Sequence, residues 1–251
     1  MATKTYDIQG FDRIRIDGAF EYDITRGDAF KVSITSDPLK VIEVERQGDT
    51  LRIGIAWYTY LWWFLTWWSH PRASITLPEL RELRVSGASH GEAGDFATTH
   101  DFSAELAGAS SLRLGHVSAG DVRFRVMGAS HLEFAKVKGS KGDIDIAGAG
   151  RMKGELELSG DVKLDVVGAS RVEFSGSAYN AVYNFAGASH AKLENFTVHN
   201  AKVKAYGASS VVVKADGRLD VEAMGASHVS WVGNPTMGDV RSAGASTLHK
   251  A

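Results

Sequence analysis

A Gly-Ala-Ser tripeptide recurs through the last two-thirds of the chain at an almost constant interval. The steps between its copies are 18 to 21 residues. Nine copies begin at Gly87, Gly108, Gly128, Gly148, Gly168, Gly187, Gly207, Gly225 and Gly244. One copy departs from the motif, because Gly150 stands where the others have serine. A repeat of this period is typical of a solenoid, in which each repeat buries its apolar side chains against its neighbours.

Apolar residues occupy the even positions on both sides of each motif glycine, at offsets −6, −4, −2, +4 and +6. Around Gly128 these positions hold Val122, Phe124, Val126, Leu132 and Phe134. Odd offsets are often charged or polar, and this alternation of period two predicts half-buried strands. The sequence therefore predicts an all-β fold, a single-stranded parallel β-helix of about nine rungs of roughly 20 residues, stacked about 4.8 Å apart.

The motif itself has a steric interpretation. Glycine can adopt a positive φ at a corner, and alanine and serine are small enough to stack from rung to rung. Serine at offset +2 is expected to face inward, where its hydroxyl can bond to the backbone of the bend or to the next rung. A serine nucleophile is not predicted, since the eight serines are equivalent and none has a distinguishing base.

The first eighty residues carry a different pattern. Apolar and polar residues alternate here too, and Gly48-Asp49 reads as a hairpin turn. A degenerate rung is expected at Gly18-Ala19. We interpret residues 1–80 as strands that begin or cap the helix, with an aromatic-rich insertion at 56–70. Residues 81–251 are interpreted as the repeats of one continuous domain, whose far end needs a partner, a loop or another subunit.

Composition narrows the function only broadly. The chain has 251 residues and a formal net charge of −2, so no basic field predicts nucleic-acid binding. It has no cysteine, which excludes disulfides and thiolate metal sites. The first eleven residues lack the pattern of a signal peptide, so we expect a chain that stays inside the cell or one whose leader has been removed.

Residues able to carry chemistry are scattered. Histidine occupies offset +3 four times, at His90, His131, His190 and His228. No two of them belong to adjacent rungs, which predicts a solvated row and no metal site. Glutamates that share offset +5 are interrupted by basic residues: Glu92, Glu133 and Glu173. The sequence therefore predicts no catalytic, cofactor-binding or metal-binding residue, no cofactor and no enzymatic activity.

One segment departs from the rest of the chain. Residues 57–68 hold five of the six tryptophans, and residues 56–69 carry no charge. At this length the segment is too short to cross a bilayer as a helix. It is expected to cap the helix, form a subunit interface, enter a membrane interface or stack on sugars. The candidate contact residues are Trp57, Tyr58, Tyr60, Trp62, Trp63, Phe64, Trp67 and Trp68.

The sequence resembles a bacterial family described as "putative auto-transporter adhesin, head GIN domain". The resemblance rests on residues 11–19, 48–53 and 75–80, and on the run 85–89 that enters the first Gly-Ala-Ser motif. It implies a β-helix that is exported and adhesin-like, in the cell envelope or outside the cell, with no catalytic residues. The aromatic segment is not part of the family pattern.

These observations favour a non-enzymatic β-helical scaffold that forms homo-oligomers through its aromatic segment. Two alternatives stay open: a glycan-binding or glycan-active protein, and a peripheral membrane protein held by residues 57–68. No nucleic-acid partner is expected.

Overall fold

A computed structural model describes residues 2–36, 42–55 and 70–251. These residues form an all-β parallel solenoid of about eight turns, which confirms the predicted fold class. The predicted number of about nine rungs differs from this only slightly.

Twenty-four strands make up the described part of the chain. They are β1 (Ala2–Tyr6), β2 (Arg13–Gly18), β3 (Glu21–Arg26), β4 (Lys31–Ser36), β5 (Ile42–Gln47), β6 (Thr50–Ile55), β7 (Arg72–Leu77), β8 (Glu82–Gly87), β9 (His90–Ala93), β10 (Phe96–Ala97), β11 (Phe102–Leu106), β12 (Ser111–Ser118), β13 (Val122–Gly128), β14 (His131–Gly139), β15 (Gly142–Gly148), β16 (Arg151–Leu158), β17 (Val162–Gly168), β18 (Arg171–Gly187), β19 (His190–Gly207), β20 (Ser210–Ala215), β21 (Arg218–Gly225), β22 (His228–Val232), β23 (Thr236–Gly244) and β24 (Thr247–Lys250).

The strands stack into two long parallel faces. The first face contains the strands that end at the motif glycines, in the order β8, β11, β13, β15, β17 and onward to β23. The second face contains the strands that follow the motif, from β9 through β12 and β14 to β24. The long strands β18 and β19 contribute one half to each face. Motif glycines pair with motif glycines, so the offsets next to the motif form straight rows along the solenoid, and the register shifts occur farther from the corner.

The N-terminal strands do not stack in chain order. Strand β2 lies between β6 and β8, and β3 lies between β7 and β9. Beyond them, β5 is antiparallel to β6, β4 is antiparallel to β7, and β1 is antiparallel to β4. Gln47 pairs with Thr50 across Gly48-Asp49, which confirms the predicted hairpin. Gly18 pairs with Gly87, which confirms the predicted degenerate rung.

The interior follows the predicted alternation. Val122, Phe124 and Val126 are buried, as are their counterparts on the other turns. A chain of aromatic contacts runs through the core from Phe102 to Phe196, with neighbouring ring centroids 5.5 to 6.2 Å apart. This shared interior is one hydrophobic core, which extends from the N-terminal turns to β22.

The corners bear out the steric interpretation of the motif. Gly168 has a φ of 113°, and a Cβ added there would lie 2.3 Å from the carbonyl oxygen of Gly148. The motif serines from Ser89 to Ser227 are buried. On the next turn, the hydroxyl of Ser189 donates to the carbonyl of Gly168 at 3.0 Å. The same carbonyl accepts the N–H of Ala188 at 2.9 Å, so side chain and backbone together tie one corner to the next.

The last turn is the most exposed. Val240 stands at an interior offset of β23, but its side chain is 46% exposed. Leu248 of β24 is only partly buried against the core. Within the described part of the chain, no further turn covers these two strands.

Candidate functional site

The predicted contact residues of the aromatic segment, from Trp57 to Trp68, lie outside the described residues. The strands on either side of it are described. Gly54 pairs with Asp17, and Arg72 pairs with Glu21. Gly54 and Arg72 therefore pair with two residues, Asp17 and Glu21, that are only four positions apart in the chain. Asp17 and Glu21 flank the corner at Gly18, which pairs with the motif glycine Gly87.

The histidines at offset +3 form the predicted solvent-facing row. His90, His190 and His228 are exposed and His131 is half-buried. One contact escaped the sequence analysis: the rings of His228 and His249 lie 4.6 Å apart. His249 occupies offset +5 of the last turn, and comparing residues of equal offset could not pair it with His228. No group of three potential metal ligands occurs among the described residues.

Carboxylates on both faces form ion pairs across neighbouring turns. Glu92 contacts Arg113, and Glu173 lies 3.3 Å from Lys153. The first face has the same arrangement, with ion pairs between Arg123 and Asp143 at 3.2 Å and between Arg125 and Asp145 at 3.4 Å. These rows are solvent-exposed and mixed in sign, and their ion pairs tie each turn to its neighbour.

The connection from β7 to β8 carries a different network, because it passes over the turn made by β2 and β3. Glu79 accepts hydrogen bonds from the Thr98 hydroxyl and from Nδ1 of His100, the latter at 2.9 Å. These two bonds lower the pKa of Glu79 below its ordinary value. The network fixes the connection to the loop that follows β10.

Two buried tyrosines lie inside the solenoid. The hydroxyl of Tyr22 donates to the carbonyl of Ser111 at 2.8 Å, and burial raises its pKa. Gly91 makes room for this ring, since a Cβ there would lie 2.5 Å from it. Burial also raises the pKa of Tyr183, whose hydroxyl has no hydrogen-bond partner among the described residues. Both rings are part of the core, and Tyr22 also borders a surface groove lined by Arg72 and His90.

Three surface rows meet at the Gly-Ala-Ser corners, and together we call them the corner ridge. They are the residues at offsets −1, +1 and +3 of the nine motifs, from Ser86 to Thr247. None of these residues is aspartate or glutamate. A groove of about 390 Å³ follows the ridge, and its +3 side is formed by His131, Arg151, Arg171 and His190. The histidines of one row stand out in the sequence, whereas the absence of carboxylates becomes apparent only when all three rows are compared.

The family model described as "Putative auto-transporter adhesin, head GIN domain" matches residues 10–235. The chain belongs to this family. The match covers the N-terminal turns as well as eight of the nine motif corners. Membership in the head GIN domain family confirms the resemblance and indicates an adhesin-like protein of the cell envelope or the cell exterior.

Solved structures similar to this head GIN domain protein share its fold. A "putative adhesin" from Parabacteroides merdae ATCC 43184 is 16% identical with a TM-score of 0.65, covering all of this chain and 95% of its own. A "putative adhesin" from Parabacteroides distasonis ATCC 8503 is 14% identical with a TM-score of 0.66, covering 100% and 96%. A "putative lipid binding protein" from the same strain is 17% identical with a TM-score of 0.62, also covering 100% and 96%. No protein of curated function matches the chain.

The described part of the chain contains no helix long and apolar enough to cross a bilayer.

Proposed function

We propose that this protein is a non-enzymatic, adhesin-like scaffold of the cell envelope that assembles with itself through its aromatic segment. Family membership supports the adhesin-like and envelope parts of the proposal. The observation that carries the scaffold is the continuity of its two faces, whose parallel register extends from β8 to β24. Nine stacked corners give a straight surface roughly 40 Å long.

The composition of the aromatic segment supports assembly. It presents eight aromatic side chains within residues 57–68, and no charged residue accompanies them. The interior positions of its own turn are already filled by Leu51, Ile53 and Ile75, which are fully buried. Contact with a second copy removes this large apolar surface from water.

The mass of the protein in solution tests the assembly. Replacing Trp62, Trp63, Trp67 and Trp68 with serine is expected to convert the oligomer to a monomer in multi-angle light scattering. A matched control replaces two exposed residues of the first face or its border, Tyr179→Ser with Val182→Ser, and should leave the mass unchanged. If the tryptophan variant keeps the mass of the unaltered protein, the segment is not the interface.

A further inference from the structure

We infer that the corner ridge is a docking surface for an anionic lipid membrane. The inference goes beyond the scaffold function, and it holds whether or not the chain assembles with itself. It rests on described residues of the Gly-Ala-Ser turns and does not depend on the aromatic segment.

The middle of the +3 row carries two adjacent arginines. Arg151 and Arg171 are neighbours on adjacent turns, and His131 and His190 extend their row at either end. Neither arginine forms an ion pair with a described residue, and Glu173, on the same strand as Arg171, is instead paired with Lys153. Two adjacent guanidinium groups without carboxylates are complementary to phosphate headgroups, which arginine binds through its planar fork of donors.

An apolar row lies on the other side of the corner. At offset −1, Met127, Val167 and Met224 are exposed, and the side chain of Val167 is 57% exposed. Alanine or another uncharged residue occupies the remaining positions of the row. A surface with apolar side chains beside cations matches the boundary between headgroups and acyl chains. Cations alone would be enough to bind a soluble polyanion, so the presence of the apolar row favours a membrane as the partner.

Backbone donors along the corner ridge have hydrogen-bond partners within the solenoid. The N–H groups of Ala129, Ala149, Ala169 and Ala188 donate to the glycine carbonyls of the preceding turn at 2.8 to 2.9 Å. Motif serines add a second hydrogen bond to several of these carbonyls. Polar backbone groups that keep their partners lose little on leaving water. The corner ridge can therefore approach a membrane without leaving these backbone donors unsatisfied.

Vesicle binding tests the inference with charge-matched variants. The full chain is mixed with phosphatidylcholine vesicles or with vesicles containing 30% phosphatidylglycerol, and the bound fraction is measured by co-sedimentation. The unaltered protein should bind the anionic vesicles more strongly and lose this preference at high salt. Arg151→Gln with Arg171→Gln should weaken binding at least tenfold, since each cation near an anionic surface contributes about fivefold.

The control variant removes the same charge from the first face. Arg123→Gln with Arg125→Gln should bind anionic vesicles as the unaltered protein does, because those arginines are already paired with aspartates. Equal loss from both pairs would overturn the inference, because it would show a general effect of net charge. Equal binding to neutral vesicles would also overturn it. Binding to polygalacturonate, a soluble polyanion, is measured as well. If Arg151→Gln with Arg171→Gln weakens binding to polygalacturonate but not to anionic vesicles, the inference is also overturned.

A second pair of variants tests whether the ridge must stay apolar and free of carboxylates at offset −1. Val167→Asp places a carboxylate on the ridge and should abolish the preference for anionic vesicles. Val182→Asp makes the same change at an exposed valine of the first face and should not. If both variants bind alike, the ridge is not the docking surface. Light scattering on the same samples reports assembly independently, so failure of the scaffold proposal and failure of the membrane inference are distinguishable.

Discussion

The N-terminal turns and the Gly-Ala-Ser turns share one core but join their rungs in different ways. In the Gly-Ala-Ser turns, each chain segment stacks on the one before it, and the same corner recurs at every turn. In the N-terminal turns, β2 is inserted between β6 and β8, and three pairs of strands are antiparallel. Stability therefore rests on a repeated corner in one region and on single, position-specific contacts in the other.

The largest expected effect comes from breaking a repeated corner. Gly168→Ala forces a left-handed φ on alanine and places its Cβ 2.3 Å from the carbonyl oxygen of Gly148. Because that oxygen is backbone bonded to the next turn, it cannot move away easily. We expect a loss of at least about 3 kcal/mol in the free energy of unfolding, measured by chemical denaturation.

The matching change in the N-terminal region is Gly48→Ala in the β5–β6 hairpin. This glycine also has a positive φ, of 62°, but a Cβ there would meet nothing within 4 Å. Only the conformational cost applies, so the expected loss is about 1 kcal/mol. Equal losses at the two sites would show that the close stacking of corners adds nothing to the strain of a positive φ.

The serine of the motif should have an intermediate effect. The buried hydroxyl of Ser130 donates to the carbonyls of Met127 at 2.9 Å and Gly108 at 3.3 Å. Ser130→Ala removes this donor, and we expect a loss of about 1.5 kcal/mol by thermal or chemical unfolding. Ser210→Ala, at offset +3 on the outer side, should change stability by less than about 0.5 kcal/mol. Similar losses in the free energy of unfolding for both variants would mean that the Ser130 hydroxyl does not stabilise the corner.

The alternation and the motif made most of the repeated region predictable from sequence. A period of two assigned residues such as Phe124 and Leu164 to the interior, and a fixed interval between glycines aligned the turns. The insertion of β2 between β6 and β8 could not be predicted, because strand composition does not say which rung a strand joins. The same applies to β4, whose residues alternate like those of a parallel strand. The division of the chain at residue 80 stays a prediction.

The candidate site was only partly predictable. The histidine row was found because one residue type recurred at one offset. The corner ridge is defined by the absence of aspartate and glutamate from three rows. Whether Arg151 is unpaired depends on the position of the Glu173 carboxylate. Pairing of Glu173 with Lys153 is a side-chain geometry that the linear sequence leaves open. The aromatic segment was evident from composition, and its assembly role stays a proposal.

The contact of Glu79 with Thr98 and His100 should make the free energy of unfolding depend on pH, whereas the uncharged corners should not. Hydrogen bonds from Thr98 and His100 lower the pKa of Glu79. A lowered pKa adds stability above the unfolded value, near 4.5, and that stability is lost as the pH falls through the folded value. Glu79→Gln should therefore cost less than about 1 kcal/mol at pH 7, and the cost should shrink below about pH 4.5.

Unfolding curves collected across this pH range check the effect of Glu79. Thr98→Val removes the first donor to the carboxylate and should reproduce part of the loss at neutral pH. A loss that is the same at pH 7 and pH 3 would mean that Glu79 acts through packing and not through its charge.

The smallest effect is expected from the exposed ion pairs that follow the repeated turns. Lys153 lies 3.3 Å from Glu173, and both side chains are about half exposed. Water and salt screen such a pair, and holding two long side chains in place opposes the attraction. Lys153→Gln should therefore change the free energy of unfolding by about 0.3 kcal/mol, well below the loss from Ser130→Ala. If Lys153→Gln and Ser130→Ala caused equal losses in the free energy of unfolding, the charged rows would stabilise the contact between turns as much as the corners do. The difference between the two regions would then lie in strand order alone.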